Sequence, residues 1–146
     1  MEGFTTALIT QVPNDEPLVQ LVNRGHPPPL VLHEGRTQAF MPTSPLPPLG
    51  LEDLTTGPPA KPESYPFVAG HRLLLYTDGV TEARNPGNDF FPLPETIGSI
   101  CSSTTPREFL EQRHQALIRQ TEGHLADDVT MILVDRLDER AGMPVI

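Results

Sequence analysis

Apolar residues in this chain fall into short runs broken by proline and glycine, which is the pattern of strands and turns. Phe4 to Val12 is β-branched and apolar and predicts a strand. Pro13-Asn14-Asp15-Glu16-Pro17 predicts a turn, and Leu18 to Val22 the returning strand of a hairpin. Asn23-Arg24-Gly25-His26-Pro27-Pro28-Pro29 interrupts, since three prolines cannot donate to a ladder. Leu30-Val31-Leu32 resumes as a strand, His33 to Arg36 turns the chain, and Thr37 to Phe40 is a further short strand. The proline-rich stretch 42–66, around Leu49-Gly50-Leu51, reads as a long loop.

Later elements are cleaner. Residues 73–77 form an apolar strand that runs into Asp78-Gly79, read as a turn, and 129–134 form another strand. Thr105-Pro106-Arg107-Glu108 has the capping-box pattern, with Thr as N-cap, Pro at the first helical position and Glu at the third. Phe109, Leu110, Ala116 and Leu117 then share one side at helical spacing, so 106–121 predicts a helix packed on a sheet, stopped near Gly123. A shorter helix is expected over 93–100, and residues 137–146 read as a frayed tail. Hairpin-linked strands followed by a helix and a last strand make an α+β protein with mostly antiparallel sheet, not an alternating βαβ fold.

Composition narrows the function. The chain has 146 residues, enough for one domain, and a net charge of −9 with no basic block. That argues against a nucleic-acid partner. Proline is abundant at 18 residues, tryptophan is absent, and Cys101 is alone, so neither a disulfide framework nor a cysteine-based zinc site is expected. Without a recognisable leader or a run of the ~20 apolar residues that spans a bilayer, the expectation is a cytoplasmic protein with no membrane contact. No glycine-rich phosphate loop or nucleophile elbow is present in the sequence.

The remaining chemistry is acidic. Asp78 ends one apolar strand and Asp127-Asp128 open another, 49 residues on. Adjacent carboxylates repel one another, and a cation offsets that repulsion. Hard divalent cations take oxygen ligands, with Mg²⁺ at ~2.0–2.1 Å. If the two strands are neighbours, Asp78 and Asp127 can share an ion. Thr77, Thr81 and Glu82 add polar groups around Asp78. His26 reads as a loop-shaping residue bonded to backbone, while His33, His71, His114 and His124 lack ligand spacing, and Cys101 has no activating neighbour.

These motifs resemble the PPM-type metal-dependent protein serine/threonine phosphatases, in the bacterial SpoIIE-like branch. The matching pieces run in order: Phe4-Thr5-Thr6-Ala7-Leu8, then Asn23-Arg24-Gly25-His26-Pro27-Pro28-Pro29-Leu30-Val31-Leu32, then Pro48-Leu49-Gly50-Leu51. Leu74 to Arg84 and Asp127-Asp128-Val129-Thr130 complete the series. The resemblance implies an α-β-β-α sandwich that hydrolyses phosphoserine or phosphothreonine on a regulatory protein. It implies two Mn²⁺ or Mg²⁺ ions that activate a water, with Asp78 and Asp127 as metal-binding carboxylates and Asp128 beside them.

Two departures matter. Arg24 stands where the family has a small residue, and the family's Gly-Asp-x-x-Gly-x-Gly motif does not occur. The expectation is therefore that residues 1–136 are the C-terminal portion of such a domain. Part of a sandwich should also leave apolar surface exposed, favouring self-association. The alternative is a remnant that binds protein without catalysis.

Overall fold

The computed structural model describes residues 3, 5–50, 61–81, 83, 87, 105–123 and 128–137. These residues hold seven strands: β1 (Ala7–Gln11), β2 (Leu18–Arg24), β3 (Leu30–His33), β4 (Arg36–Ala39), β5 (Glu63–Pro66), β6 (Arg72–Tyr76) and β7 (Met131–Asp135). Among the described residues two helices accompany them, α1 (Asp78–Thr81) and α2 (Pro106–Thr121). The strands form two sheets, in the orders β1-β2-β5 and β4-β3-β6-β7, and every pairing within them is antiparallel.

The four-stranded sheet is covered on both faces, which explains its unbroken apolar runs. Alternate side chains of a strand point to opposite faces. From β3, β6 and β7, Leu30, Leu74, Tyr76, Met131 and Leu133 pack with Phe109 and Leu117 of α2. Their neighbours Val31, Leu73 and Val134 face the other way, against Val19 and Leu21 of β2 and against Phe67. The layers are thus sheet, sheet and helix.

Helix α2 occupies the predicted residues. Thr105 Oγ1 accepts from the Glu108 N–H at 3.2 Å, and the Glu108 carboxylate accepts from the Thr105 N–H at 3.3 Å. This reciprocal box ties down orphan donors of the first turn. Phe109, Arg113, Leu117 and Thr121, four residues apart, are the buried stripe. The helix closes through left-handed Glu122 (φ 53°) and Gly123 (φ 82°). Among the described residues, no helix is long and apolar enough to cross a membrane.

The stretch 42–66 is not wholly a loop. Its last four residues form β5, with Val19 opposite Tyr65 and Leu18 opposite Pro66. A proline is tolerated there because β5 is an edge strand. The preceding chain is anchored by Glu63, whose carboxylate accepts from the Tyr65 hydroxyl, from Thr43 Oγ1 at 2.7 Å and from the Thr43 N–H at 3.1 Å. These bonds, the Tyr65 hydroxyl first, hold the Glu63 carboxyl below its ordinary range. Burial, aided by Glu63, pushes the Tyr65 phenol up to about 12. Phe40 stacks on the Tyr65 ring with centroids 4.5 Å apart. The structure shortens the first strand to Ala7–Gln11 and carries the second on to Arg24. The expected 93–100 helix and the tail beyond Leu137 lie outside the described residues.

His33 and His71, distant in sequence, meet with ring centroids 4.5 Å apart. Burial, and then the His33 charge, hold His71 below its ordinary 6.5. Its Nδ1 accepts from the Val68 N–H at 3.3 Å, a bond that protonation would destroy. The unfolded chain therefore takes up this proton more readily than the folded one. The His71 contribution to stability is complete above pH 6.5 and is lost as pH falls through the lower folded value. Melting temperatures across this range should decline on the acid side, and less so in His71→Gln. Parallel curves for the two proteins would exclude the effect.

Candidate metal centre at one rim of the sandwich

Strands β6 and β7 are neighbours, with Tyr76 opposite Met131 and Leu74 opposite Leu133. This register brings the end of β6 beside the residues that precede β7. Asp78 begins α1, a single helical turn where the sequence suggested only a bend, and it is exposed. Asp128 is also exposed and lies across from it. Asp127 and Glu82 fall outside the described residues.

The two acidic segments approach at van der Waals limits. A Cβ added to Gly79 would lie 2.0 Å from the Asp128 carbonyl oxygen and 2.9 Å from its carbon. No residue but glycine fits at that position without moving a backbone. Thr77 bonds across the same gap. Its N–H donates to the Thr130 carbonyl at 3.0 Å, and its Oγ1 accepts from the Thr130 N–H at 3.0 Å. The same hydroxyl donates to the Asp128 carbonyl over a longer 3.4 Å. Within α1, the Thr81 hydroxyl donates to the Asp78 carbonyl at 3.3 Å and Val80 N–H to the Thr77 carbonyl at 3.0 Å.

The other motifs of the sequence gather at this rim. His26 joins the two sheets: its Nε2 lies 3.0 Å from the Tyr76 carbonyl, and its Nδ1 lies 3.3 Å from Thr6 Oγ1. A carbonyl only accepts, so Nε2 carries the proton and Nδ1 accepts from the Thr6 hydroxyl. The His26 N–H donates to Asn23 Oδ1 at 2.8 Å, fixing the turn that presents the ring. Gly25 has φ 71°, and a Cβ there would lie 2.7 Å from Pro48 Cγ. Thr5 and Leu49 exchange backbone hydrogen bonds of 2.9 and 2.8 Å. Thus the expectation that His26 bonds backbone holds, and its reach to a carbonyl in the other sheet is what the sequence did not reveal. Below this rim, Thr6, Leu8, His26, Leu75, Thr130 and Ile132 line an open groove of about 220 Å³.

The donors at the rim are hard oxygens, the Asp78 and Asp128 carboxylates and the Asp128 carbonyl, of the kind that Mg²⁺ and Mn²⁺ take. Their chemistry, and the glycine-permitted approach of the two segments, fit a divalent cation. Among the described residues, no three acidic, histidine or cysteine side chains gather closely enough to complete a cage. His33 and His71 meet far from Asp78 along their strands, at the opposite end of β6.

The sandwich is that of PP2C-type phosphatase domains. The chain belongs to the SpoIIE family, whose profile, described as "Stage II sporulation protein E (SpoIIE)", matches residues 1–137. It is 33% identical to Protein IcfG of Synechocystis over 141 residues, covering 93% of this chain and 21% of that protein. It is 29% identical to the phosphoserine phosphatase RsbP of Bacillus subtilis over 133 residues, covering 90% of this chain and 31% of RsbP. The chain therefore spans about a fifth to a third of these relatives. In fold it is similar to the phosphatase domain of the cell fate determinant SpoIIE from Bacillus subtilis, with a TM-score of 0.73 and 15% identity. That likeness covers 97% of this chain and 61% of that one. The SpoIIE domain has also been solved after presoaking with Mn.

Proposed function

We propose that this chain supplies the Asp78 and Asp127 carboxylates of a metal-dependent phosphatase site acting on phosphoserine or phosphothreonine of a regulatory protein. The observation that carries the reading is the close packing of Gly79 on the Asp128 carbonyl, which sets the two acidic strand ends at one rim. Family membership and the named activity of RsbP support the reaction class. A pair of Mn²⁺ or Mg²⁺ ions would supply a water of lowered pKa and neutralise phosphoryl charge. The part played by this chain would be to supply the Asp78 and Asp127 carboxylates, with Asp128 beside them.

Residues 1–136 form the C-terminal portion of the catalytic domain in this proposal, and 137–146 a tail. The setting is the cytoplasm, without nucleic acid or membrane as partner. Apolar side chains left exposed, Ile9 at 64% and Ile132 at 54%, favour self-association. A non-catalytic protein-binding role is the second reading, favoured by the absence of the Gly-Asp-x-x-Gly-x-Gly motif from the sequence.

Titration calorimetry with Mn²⁺ separates them. The chain should bind Mn²⁺ weakly, and Asp78→Asn should bind it more weakly still, having lost an anionic ligand. Equal affinity for both proteins would remove Asp78 from the site.

A further inference from the structure

We infer that Thr77 is a positioning residue whose hydroxyl clasps the Asp78 segment to the segment that runs from Asp128 to Thr130. The inference rests on the metal-site reading above and adds a residue to it. A strand that merely ended at Tyr76 would need no hydroxyl at the next position. Thr77 instead spends its side chain on the facing segment, 53 residues away, accepting from the Thr130 N–H at 3.0 Å. With its backbone N–H on the Thr130 carbonyl at 3.0 Å, the residue grips both polar groups of one peptide neighbour. Its hydroxyl proton points toward the Asp128 carbonyl at 3.4 Å.

The need for such a clasp follows from the ladder. Regular β6–β7 pairing ends at Tyr76 and Met131. Beyond that pair, Asp78 turns into α1 while Asp128 and Val129 follow irregular backbone. Two segments that each carry negative charge would separate there, because like charges repel. Thr77 continues the pairing one step further through its side chain and so fixes the spacing across which a cation is shared. Gly79 allows the approach, and Thr77 holds it.

Thr77→Val keeps the shape and removes the hydroxyl, whereas Thr77→Ser keeps the hydroxyl. Mn²⁺ binding by the chain should weaken about 10-fold or more in Thr77→Val, the scale on which groups that orient metal ligands act. Thr77→Ser should return near to wild type. Leu117→Ala, in the buried stripe of α2, should lower the melting temperature and leave the Mn²⁺ affinity of the folded protein unchanged. In wild type and Thr77→Ser the Thr130 amide should be protected from hydrogen exchange, and in Thr77→Val it should exchange freely. Unchanged Mn²⁺ affinity in Thr77→Val, beside a clear loss in Asp78→Asn, would overturn the clasp while leaving the site intact. If Asp78→Asn itself binds as wild type does, the site reading has failed instead. Should the valine variant not fold, free exchange of the Thr130 amide in wild type would overturn the inference, and protection would uphold it.

Discussion

Gly79→Ala should unfold this rim. The added methyl would sit 2.0 Å from a backbone oxygen and 2.9 Å from a backbone carbon, both of Asp128, so no rotamer change relieves the clash. Relief requires residues 128–130 to move away from β6, and both Thr77–Thr130 hydrogen bonds stretch or break when they do. Overpacking costs up to ~3 kcal/mol and occasionally more, and each lost hydrogen bond adds ~0.5–1.5 kcal/mol. For a chain of this size the melting temperature should fall by roughly 10 °C or more. Gly35→Ala is the comparison: its φ is 75° but no atom lies within 4 Å of the added Cβ. It should cost only the ~1–2 kcal/mol of a left-handed alanine. A Gly79→Ala protein that melts with wild type would mean the two segments are not packed as described.

Asp78→Ala should produce the largest functional effect. The chain alone is expected to hydrolyse a phosphoserine peptide little with Mn²⁺, because its sequence lacks the Gly-Asp-x-x-Gly-x-Gly motif of the family. Joined to a relative's segment carrying the Gly-Asp-x-x-Gly-x-Gly motif, it should turn over in a Mn²⁺-dependent way. In that fusion the alanine would remove the proposed anionic ligand, so that nucleophile generation and charge neutralisation would fail together. A loss of several kcal/mol of transition-state stabilisation is a fall of about 10³-fold or more in kcat/KM. Asp78→Ala with near-normal turnover would assign the chemistry to other acids. Robust turnover by the 146-residue chain alone would mean that it completes the cage itself, with Glu82 or Asp128 as the added donor.

The parts of the fold that were legible in sequence are those fixed by local chemistry. Thr105, Pro106 and Glu108 specify the start of α2 within four residues, and the predicted 106–121 is the helix observed. The runs at 30–32 and 73–76 announced buried strands because both faces of their sheet are covered there; the run at 131–134 pairs beside them with Ile132 left exposed. Strand β5 was hidden, since its residues are proline-flanked and its pairing comes from Leu18–Leu21, more than forty residues earlier. The single turn of α1 was hidden too, because Asp-Gly is ordinary turn chemistry and the packing of Val80 decides the outcome.

The candidate site was legible in its residue types and not in its connections. Asp78 stood out at the end of an apolar strand, and the hydroxyls beside it were noticeable. What those hydroxyls do depends on Thr130, and what His26 does depends on Tyr76, and neither distance of about fifty residues leaves a mark on local sequence. Glycine offered a clue of a different kind. Gly79 lies within a helical turn rather than a bend, so its lack of a side chain has to serve a close neighbour, here the Asp128 carbonyl.

Anomalous diffraction from Mn²⁺-soaked crystals tests the shared-cation claim most directly. The account predicts a manganese peak at this rim with the Asp78 and Asp127 carboxylates both at roughly 2.0–2.6 Å from it. Manganese bound elsewhere, or the two carboxylates directed to opposite faces of the β6–β7 sheet, would contradict it.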